Sequence, residues 1–462
     1  MYFHDRMIES DLIVIGTGAG TKLIQPVAKK GFQVTVFEKS SPGGTCLNRG
    51  CIPSKMLIYP SEVARIHETG ERVGIHFSEK SKFDFSNIVS RIQNTVRADS
   101  DSIPVLYEKN PNIRFVPHEA KFVSPYSLSA NGELYTAPKI VLAIGARPHI
   151  PNIPGLAGTP YWTSTDALEN KRLPKSLVVI GGGYIGLELG LAYNGYGTNV
   201  SVITRTTILN GIDLELKSEF RKTAKEHIQL FEHSLPQNIR HENGMFHVSF
   251  LQNGNLQEIT AEKLLLSPGV VPNTDLLDLQ NTNIQLDEKG FIPTNEFLET
   301  TQAGVYALGD VRGKYFFRHS ANFEGEYLFS WLFGGGEKKP ISLEGVPFAV
   351  FTHPNIAGVG KTEEDCIREK IPYLKGVNPY SSSAAGMARM SSSGFMKVLV
   401  HKETKKILGA HCIGDEAPNL IHFFILAIHL DATLDQLLSM IYIHPSLPEI
   451  SRNALRKVRE QL

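Results

Sequence analysis

Two stretches of this chain repeat one pattern: an apolar run, a glycine-rich turn, a helix-like segment and a second apolar run. In the first copy, residues 11–15 (DLIVI) enter GTGAGT, a helical pattern continues to Gly31, and QVTVFE ends at Glu38. In the second, residues 176–180 (SLVVI) enter GGGYIGLELG, and NVSVIT follows after a helix. Two parallel strands need a long crossover between them, and a helix is the usual one. Each copy therefore predicts a βαβ unit with a dinucleotide fingerprint. Gly16 and Gly181 make the tight turns. Gly18 and Gly183 let the backbone approach a pyrophosphate at a helix N-terminus. Glu38 falls where a carboxylate accepts hydrogen bonds from a ribose. Gly186 completes GxGxxG in the second copy, whereas the first has Thr21 there, which predicts looser helix–strand packing. One such motif is weak evidence; two in strand–turn–helix–strand context point to two bound dinucleotides.

The rest of the chain extends this frame. A length of 462 residues allows about three domains at ~150 residues each. KIVLAIGARP (residues 139–148) and LLLSPGVVPN (264–273) read as buried strands followed by glycine turns, and ALGD sets Gly309 and Asp310 at a strand end. Beyond about residue 347 the pattern changes to FAVFTHPNIAGVG, a Ser/Gly-rich stretch over 381–394 that reads as an ordinary loop, and alternating FMKVLVH. That combination predicts an α+β domain with an antiparallel sheet.

Charge and cysteine content narrow the function. Lys plus Arg equals Asp plus Glu, 47 each, so no strong field favours nucleic acid or an anionic membrane. The longest apolar run, near residues 423–428, is too short to span a bilayer. MYFHDRMIES lacks the apolar core of a signal peptide. Four cysteines are too few for a disulfide framework in a chain this long. A cytoplasmic protein of a reducing compartment is expected, where an oxidisable pair is catalytic more often than structural.

Cys46 and Cys51, in GGTCLNRGCIPSK, are such a pair. On a regular helix, residues i and i+5 lie roughly 8–9 Å apart at Cα, whereas a disulfide needs about 7 Å or less. The pair can bond only across an irregular turn, which Asn48 and Gly50 permit and Pro53 supports. A disulfide held in that way is reducible. Zinc would need a second ligand pair close by and an iron–sulfur cluster a further companion, but Cys366 and Cys412 are distant and isolated. No metal is expected.

Together, GGTCLNRGCIPSK, GGGYIGLELG, ALGD and HPSLPE, in this order and spacing, resemble the flavoprotein disulfide reductases, the class I pyridine nucleotide-disulfide oxidoreductases. The resemblance covers essentially the whole chain. CLNRGCIPSK and GGGYIGLELG are most similar to the dihydrolipoamide dehydrogenase branch; GTGAGT, CIPSKM and IHPSLPEISRNAL are closest to mycothione reductase. The fold implied is α/β, with two Rossmann-like dinucleotide-binding domains and a C-terminal α+β dimerisation domain. Its implied boundaries are 1–150 and 276–345 for FAD binding, 151–275 for NAD(P) binding and 346–462 for dimerisation.

The same resemblance implies residue roles. Cys51 would face the flavin as the charge-transfer thiolate, and Cys46 would attack the substrate. His444 would be the acid–base, oriented by Glu449, although a His before Pro taken alone is usually a solvated turn residue. Lys55 and Glu188 would form an ion pair beside the flavin; alone, each is unremarkable. FAD would contact Gly16, Gly18, Glu38 and Lys39, then Gly44, Thr45 and Lys55, and finally Gly145 and Asp310. Asp310 also reads as a helix N-cap. NAD(P) would contact Gly181, Gly183, Tyr184, Gly186, Arg205 and Gly269, with core packing the competing reading for Tyr184. Thr204 and Arg205 stand where NAD-specific sites carry an acid, which favours the 2′-phosphate of NADPH over NADH. Asn210, Gly211 and Val270 replace residues usual in relatives.

The implied activity is electron transfer from NAD(P)H through flavin and the cysteine pair to a small disulfide, as in mycothione or glutathione reductase, by a homodimer whose active sites are built from two chains. The alternative is dihydrolipoamide dehydrogenase, oxidising a dithiol with NAD⁺ within a 2-oxoacid dehydrogenase complex. Mercuric reductase and large thioredoxin reductase use a further C-terminal redox pair, and KVREQL offers no cysteine. A binding module with degenerate chemistry is disfavoured, because both cysteines, Lys55, Glu188, His444 and Glu449 are all present.

Overall fold

The computed structural model describes residues 7–79 and 82–462. Part of the segment behind the signal-peptide reading, residues 1–6, lies outside them. The chain divides into two compact units, one of residues 1–56, 86–149 and 269–343, the other of residues 57–85, 150–268 and 344–462.

The first unit is built on a five-stranded parallel sheet. Its order is Val305–Ala307, Ile140–Leu142, Leu12–Ile15, Val34–Phe37 and Ile113–Val116. The unbroken apolar character of LIVI follows from burial on both faces. Leu12 and Val14 pack with Leu23, Ile24 and Val27 of helix Thr21–Lys29 and with Ala321 and Leu328 of helix Arg318–Leu332. Ile13 and Ile15 pack on the other face with Phe122, Leu128 and Tyr135, which belong to a four-stranded sheet beginning with Met7–Glu9. Each such side chain contributes about 1.5–3 kcal/mol. All the strands run one way, so the loops at their carboxyl ends gather along one edge, where ligands of such sheets bind.

Packing of the first fingerprint helix differs from the sequence reading. Gly20, one residue before Thr21, makes the close contact: a Cβ there would lie 2.4 Å from Gly16 O and 2.7 Å from Val14 Cγ1. Thr21 instead turns its hydroxyl back to Gly18 O at 2.9 Å. The helix is therefore not loosely seated.

In the second unit, a four-stranded parallel sheet has the order Gln229–Phe231, Asn199–Ile203, Ser176–Ile180 and Lys263–Leu266. Val178, Ile180 and Ile203 pack with Phe246, Val248 and Phe250 of a three-stranded antiparallel meander. Residues 344–462 of this unit hold a five-stranded antiparallel sheet, as the alternation predicts. Helix Glu449–Arg459 presses Ile450, Ala454, Leu455 and Val458 into its core. That docking fixes Glu449, the helix's first residue.

The Ser-rich stretch is not a plain loop. Ser383 Oγ accepts from Gly386 N at 3.1 Å and starts a short helix, Ala384–Ala388; a Ser-rich composition conceals an N-cap because the same hydroxyls suit turns and caps. Among the described residues, no helix is long and apolar enough to cross a membrane.

Candidate active site and dinucleotide cradles

The first glycine turn of the first unit is shaped by contacts that exclude a side chain. Gly16 has φ +99°, and a Cβ would meet Ala143 O at 2.4 Å. Gly44, at φ +69°, backs onto the same loop, where a Cβ would lie 2.6 Å from Gly18 Cα. The fingerprint loop and the cysteine loop therefore touch backbone to backbone. Thr17 ties them to the second strand. Its hydroxyl donates to Glu38 Oε2 at 2.6 Å and accepts from Gly43 N at 2.9 Å. Glu38 also accepts from Thr17 N and from Ser40 N and Oγ, so the carboxylate expected at a ribose is rigidly held. Lys39 is exposed and pairs with Glu119 at 3.3 Å. Thr45 is exposed and Gly145, at φ +64°, is half-buried at the carboxyl end of Ile140–Leu142.

Cys46 lies in helix Gly44–Arg49, and Cys51 opens helix Cys51–Ala64. Gly50 breaks the two helices apart, with φ −138° and ψ −119°. A Cβ there would meet Thr45 O at 2.9 Å and Cys46 Cα at 3.1 Å, so only glycine lets the chain fold back over Cys46. Asn48 pins the turn by donating from Nδ2 to Pro42 O at 2.9 Å, and to Ser41 O and Gly44 O at 3.1 Å. Both cysteines are free thiols in this structure.

Their electrostatics are unequal. The Cys51 thiol donates to Cys46, and this hydrogen bond, with the charges of Arg318 and Lys55, outweighs burial and lowers the Cys46 thiol to about 7. Cys51 is pushed well above the ordinary thiol range by that same hydrogen bond, by burial and by the Cys46 charge. The two thiols titrate as a pair, and their mutual hydrogen bond lets the pair hold one negative charge more readily than an isolated thiol does.

Asp310 lies in a single 3₁₀ turn, Gly309–Arg312, rather than capping the helix that starts at Arg318, whose N-cap is Phe317. Burial and the charge of Glu324 raise its carboxyl to about 6, partly offset by Arg318. Glu324 itself is tied to Arg312 and to Gly309 N.

The second unit repeats the glycine logic. A Cβ on Gly181 would meet Ser267 O at 2.2 Å, and one on Gly186 would meet Ser267 Oγ at 2.4 Å. Gly183 is the N-cap of helix Tyr184–Gly195, so Tyr184 stands, half-buried, at that helix's first position. Thr204 is buried and Arg205 exposed just beyond strand Asn199–Ile203. The nearby carboxylate of Glu232 is held by Arg221 at 2.6 and 3.0 Å and by Ile208 N. Glu188 is buried and accepts from Phe351 N at 2.9 Å; Lys55 is half-buried. Gly269 falls in the first unit, at φ +132°, just before the strand Val270–Pro272 that pairs with Ala146–Pro148.

His444 and Glu449 meet, as the resemblance implies. The His444 Nδ1 lies 3.0 and 3.1 Å from the two Glu449 oxygens, with the ring 70% exposed and Glu449 4% exposed. Burial opposes the charge on Glu449, but Ser446 N, His444 and Arg452 outweigh it and hold the carboxyl below its usual range. Glu449 can therefore stay anionic and orient the imidazole, leaving Nε2 for proton exchange. Arg452, 2.7 Å from Glu449, also lies over the Tyr442 ring.

Among the described residues, Glu68, His227 and His353 are near enough to share a cation. Arg65 Nη1 stands 3.4 Å from Glu68 Oε1 and 3.1 Å from His227 Nδ1, so a guanidinium already occupies that position.

Two family models match this chain, pyridine nucleotide-disulphide oxidoreductase over residues 10–325 and the dimerisation domain of that family over 346–455. The chain belongs to the pyridine nucleotide-disulphide oxidoreductases. This oxidoreductase is 31% identical to dihydrolipoyl dehydrogenase of Geobacillus stearothermophilus, over 98% of this chain and 97% of that one. It is 32% identical to mercuric reductase of Bacillus cereus, over 92% of this chain and 68% of that one. The solved structure of HOCl-induced flavoprotein disulfide reductase RclA from Escherichia coli shares the fold, with TM-score 0.86 at 24% identity, covering 98% and 100% of the two chains. The oxidoreductase is a flavoprotein with FAD, a redox disulfide centre and a homodimeric assembly.

The first unit fits FAD on its own terms. Gly16 and Gly18 carry no Cβ to obstruct a pyrophosphate, and the Asp310 carboxyl accepts no hydrogen bond from any described residue. Three residues of these sites escape sequence reading: Thr17, Arg452 and Arg318. Thr17 sits at a variable position of the motif. Arg452 carries a signal, since it stands three residues after Glu449 on a helix. Arg318 carries none.

Proposed function

We propose that this oxidoreductase takes electrons from NAD(P)H, NADPH in preference, through FAD and the Cys46–Cys51 pair to a small disulfide of the mycothione or glutathione type. The observation that carries the reading is the unequal dithiol: a low thiol on Cys46, kept low by Cys51, in a loop packed on the dinucleotide turn. The domain plan we adopt is 1–150 with 276–345 for FAD, 151–275 for NAD(P) and 346–462 for dimerisation.

Bound FAD supplies the two-electron relay between nicotinamide and dithiol. Gly16, Gly18, Glu38, Lys39, Gly44, Thr45, Gly145 and Asp310 are proposed to hold it, with Lys55 and Glu188 setting the charge around it. Gly181, Gly183, Tyr184, Gly186, Arg205 and Gly269 are proposed to hold the nicotinamide dinucleotide. Cys46 thiolate attacks one sulfur of the substrate, forming a mixed disulfide and expelling a thiolate, which His444 of the partner subunit protonates. Cys51 then attacks Cys46, releasing the second thiol and closing the Cys46–Cys51 disulfide. The flavin-facing sulfur in this scheme is Cys51.

NADPH is favoured because Thr204 and exposed Arg205 offer no carboxylate, and Glu232 is engaged by Arg221. Missing repulsion and a free-standing cation suit a 2′-phosphate. The second reading is dihydrolipoamide dehydrogenase acting with NAD⁺ in a 2-oxoacid dehydrogenase complex, and the 31% identity over 98% of the chain supports it. Direction there follows potentials, about 30 mV corresponding to about 1.4 kcal/mol for two electrons. A reducing cytoplasm suits either reading.

Steady-state turnover of glutathione disulfide, mycothione and lipoamide, each with NADH and NADPH, tests both. Turnover of glutathione disulfide or mycothione with NADPH is expected. Activity with lipoamide and NADH alone would replace the first reading by the second.

A further inference from the structure

Arg318 is a cation in an unfavourable place. It is the first residue of helix Arg318–Leu332, which has no side-chain cap and no acid in its first turn. The helix macrodipole makes that end positive, so a cation is repelled there unless an anion is present. Arg318 is half-buried, and among the described residues its guanidinium has neither an ion pair nor a hydrogen bond. A guanidinium offers five donors in a rigid fork, and leaving them unmatched in a partly buried position is costly.

The surroundings identify what is missing. A Cβ built on Gly18 would lie 3.7 Å from Arg318 Nη1, so the guanidinium hangs over the fingerprint glycine that lets a pyrophosphate approach the backbone. Its charge acts on two further groups of the same unit, Cys46 and Asp310. One cation thus sits among the phosphate turn, the nucleophilic thiol and an unpartnered carboxyl. Among the described residues no carboxylate lies in its helix's first turn to pair with it.

We propose that Arg318 is a cofactor-contacting and positioning residue, hydrogen-bonding an anionic pyrophosphate oxygen of FAD at Gly18 and, anchored there, setting a fixed positive charge beside Cys46. The inference rests on FAD binding in the first unit and names a residue for it that the glycine motif does not contain. A bound phosphate accounts for the unmatched donors and cancels the conflict with the helix end. It also explains arginine rather than lysine, since the planar fork can engage two oxygens at once. The lowered Cys46 thiol then owes part of its reactivity to the way the cofactor is held.

Reconstitution of the deflavinated full-length dimer with FAD, followed by flavin fluorescence, tests the contact. Arg318→Ala is expected to bind FAD about 10- to 100-fold more weakly, as loss of a charge-assisted hydrogen bond gives. Arg318→Lys should recover part of that loss, and its folded circular dichroism spectrum guards against a collapsed variant. In the same FAD-loaded proteins, iodoacetamide labelling across pH, read at the Cys46 peptide by mass spectrometry, should show a higher midpoint for Arg318→Ala and a near-normal one for Arg318→Lys. Unchanged FAD affinity in Arg318→Ala overturns the contact, and an unchanged Cys46 midpoint overturns the coupling to the thiol. A wild-type chain that takes up no FAD would instead remove the reading on which the inference stands.

Discussion

The Cys46 sulfur owes its low thiol first to the hydrogen bond from Cys51 and only then to surrounding cations. Removing the donor should therefore matter more than removing any one charge. Cys46 labelling by iodoacetamide is expected to rise with pH through about 7 in the wild type. In Cys51→Ala, which has no donor at that position, the midpoint should move toward the ordinary thiol value near 8.5; a midpoint still near 7 would assign the effect to Arg318 and Lys55 instead. At the other proposed catalytic pair, Glu449→Gln keeps the shape but removes the anionic acceptor that orients His444 through Nδ1. A loss of about 10²-fold or more in kcat/KM is expected, within the range for general acid–base groups, with the fold kept by circular dichroism. The cysteine pair is legible in the sequence through its spacing across a glycine break, whereas His444 and Glu449 are legible only through the family resemblance, since a His before Pro is by itself an ordinary turn residue. Arg318 is not legible, because what matters is its approach to Gly18 from a distant part of the chain, and no local pattern reports that.

At the scale of elements, the strand–turn–helix order is readable from hydrophobic runs and glycine, while the contacts that use each glycine are not. The motif points to position 21 for close packing, yet Gly20 does that work, because the helix registers on the sheet through whichever residue faces Val14. The Ser383 cap is hidden for a related reason: which hydroxyl caps depends on where the chain enters the helix. Gly44 gives the sharpest test at this scale. Its Cβ would combine a left-handed φ of +69° with a 2.6 Å approach to Gly18 Cα, so Gly44→Ala should push the cysteine loop off the dinucleotide turn. Expected are a protein purified with less FAD and a loss of about 1–3 kcal/mol in stability, read from the flavin-to-protein absorbance ratio and urea melts. Gly31→Ala is the control. Gly31 shares the left-handed φ, at +93°, but has no atom within 4 Å of its Cβ position, so it should keep its full complement of FAD.

For the whole molecule, the homodimer gives a reason for side chains that a lone chain would not expose. Ile441 is 99% exposed and Ile443 79% exposed, on either side of Tyr442 and immediately before His444. Both lie within the matched dimerisation domain. Apolar side chains held out of the core beside an imidazole aligned by Glu449 suit a surface that a second copy covers. If Cys46 of one chain works with His444 of the other, two dead variants should complement each other. Cys46→Ser and His444→Ala dimers, each inactive alone, would be unfolded and refolded together with FAD. A mixed dimer then pairs the intact Cys46 of one chain with the intact His444 of the other at one of its two sites, while the second site carries both lesions. Random pairing makes half of the dimers mixed, so two-fold symmetry sets the recovery at about one quarter of wild-type turnover. Activity that stays at the level of the separate variants, with mixed dimers demonstrated by native mass spectrometry, would put each cysteine pair and its histidine on the same chain. Recovery near one quarter would make dimerisation a requirement for the chemistry.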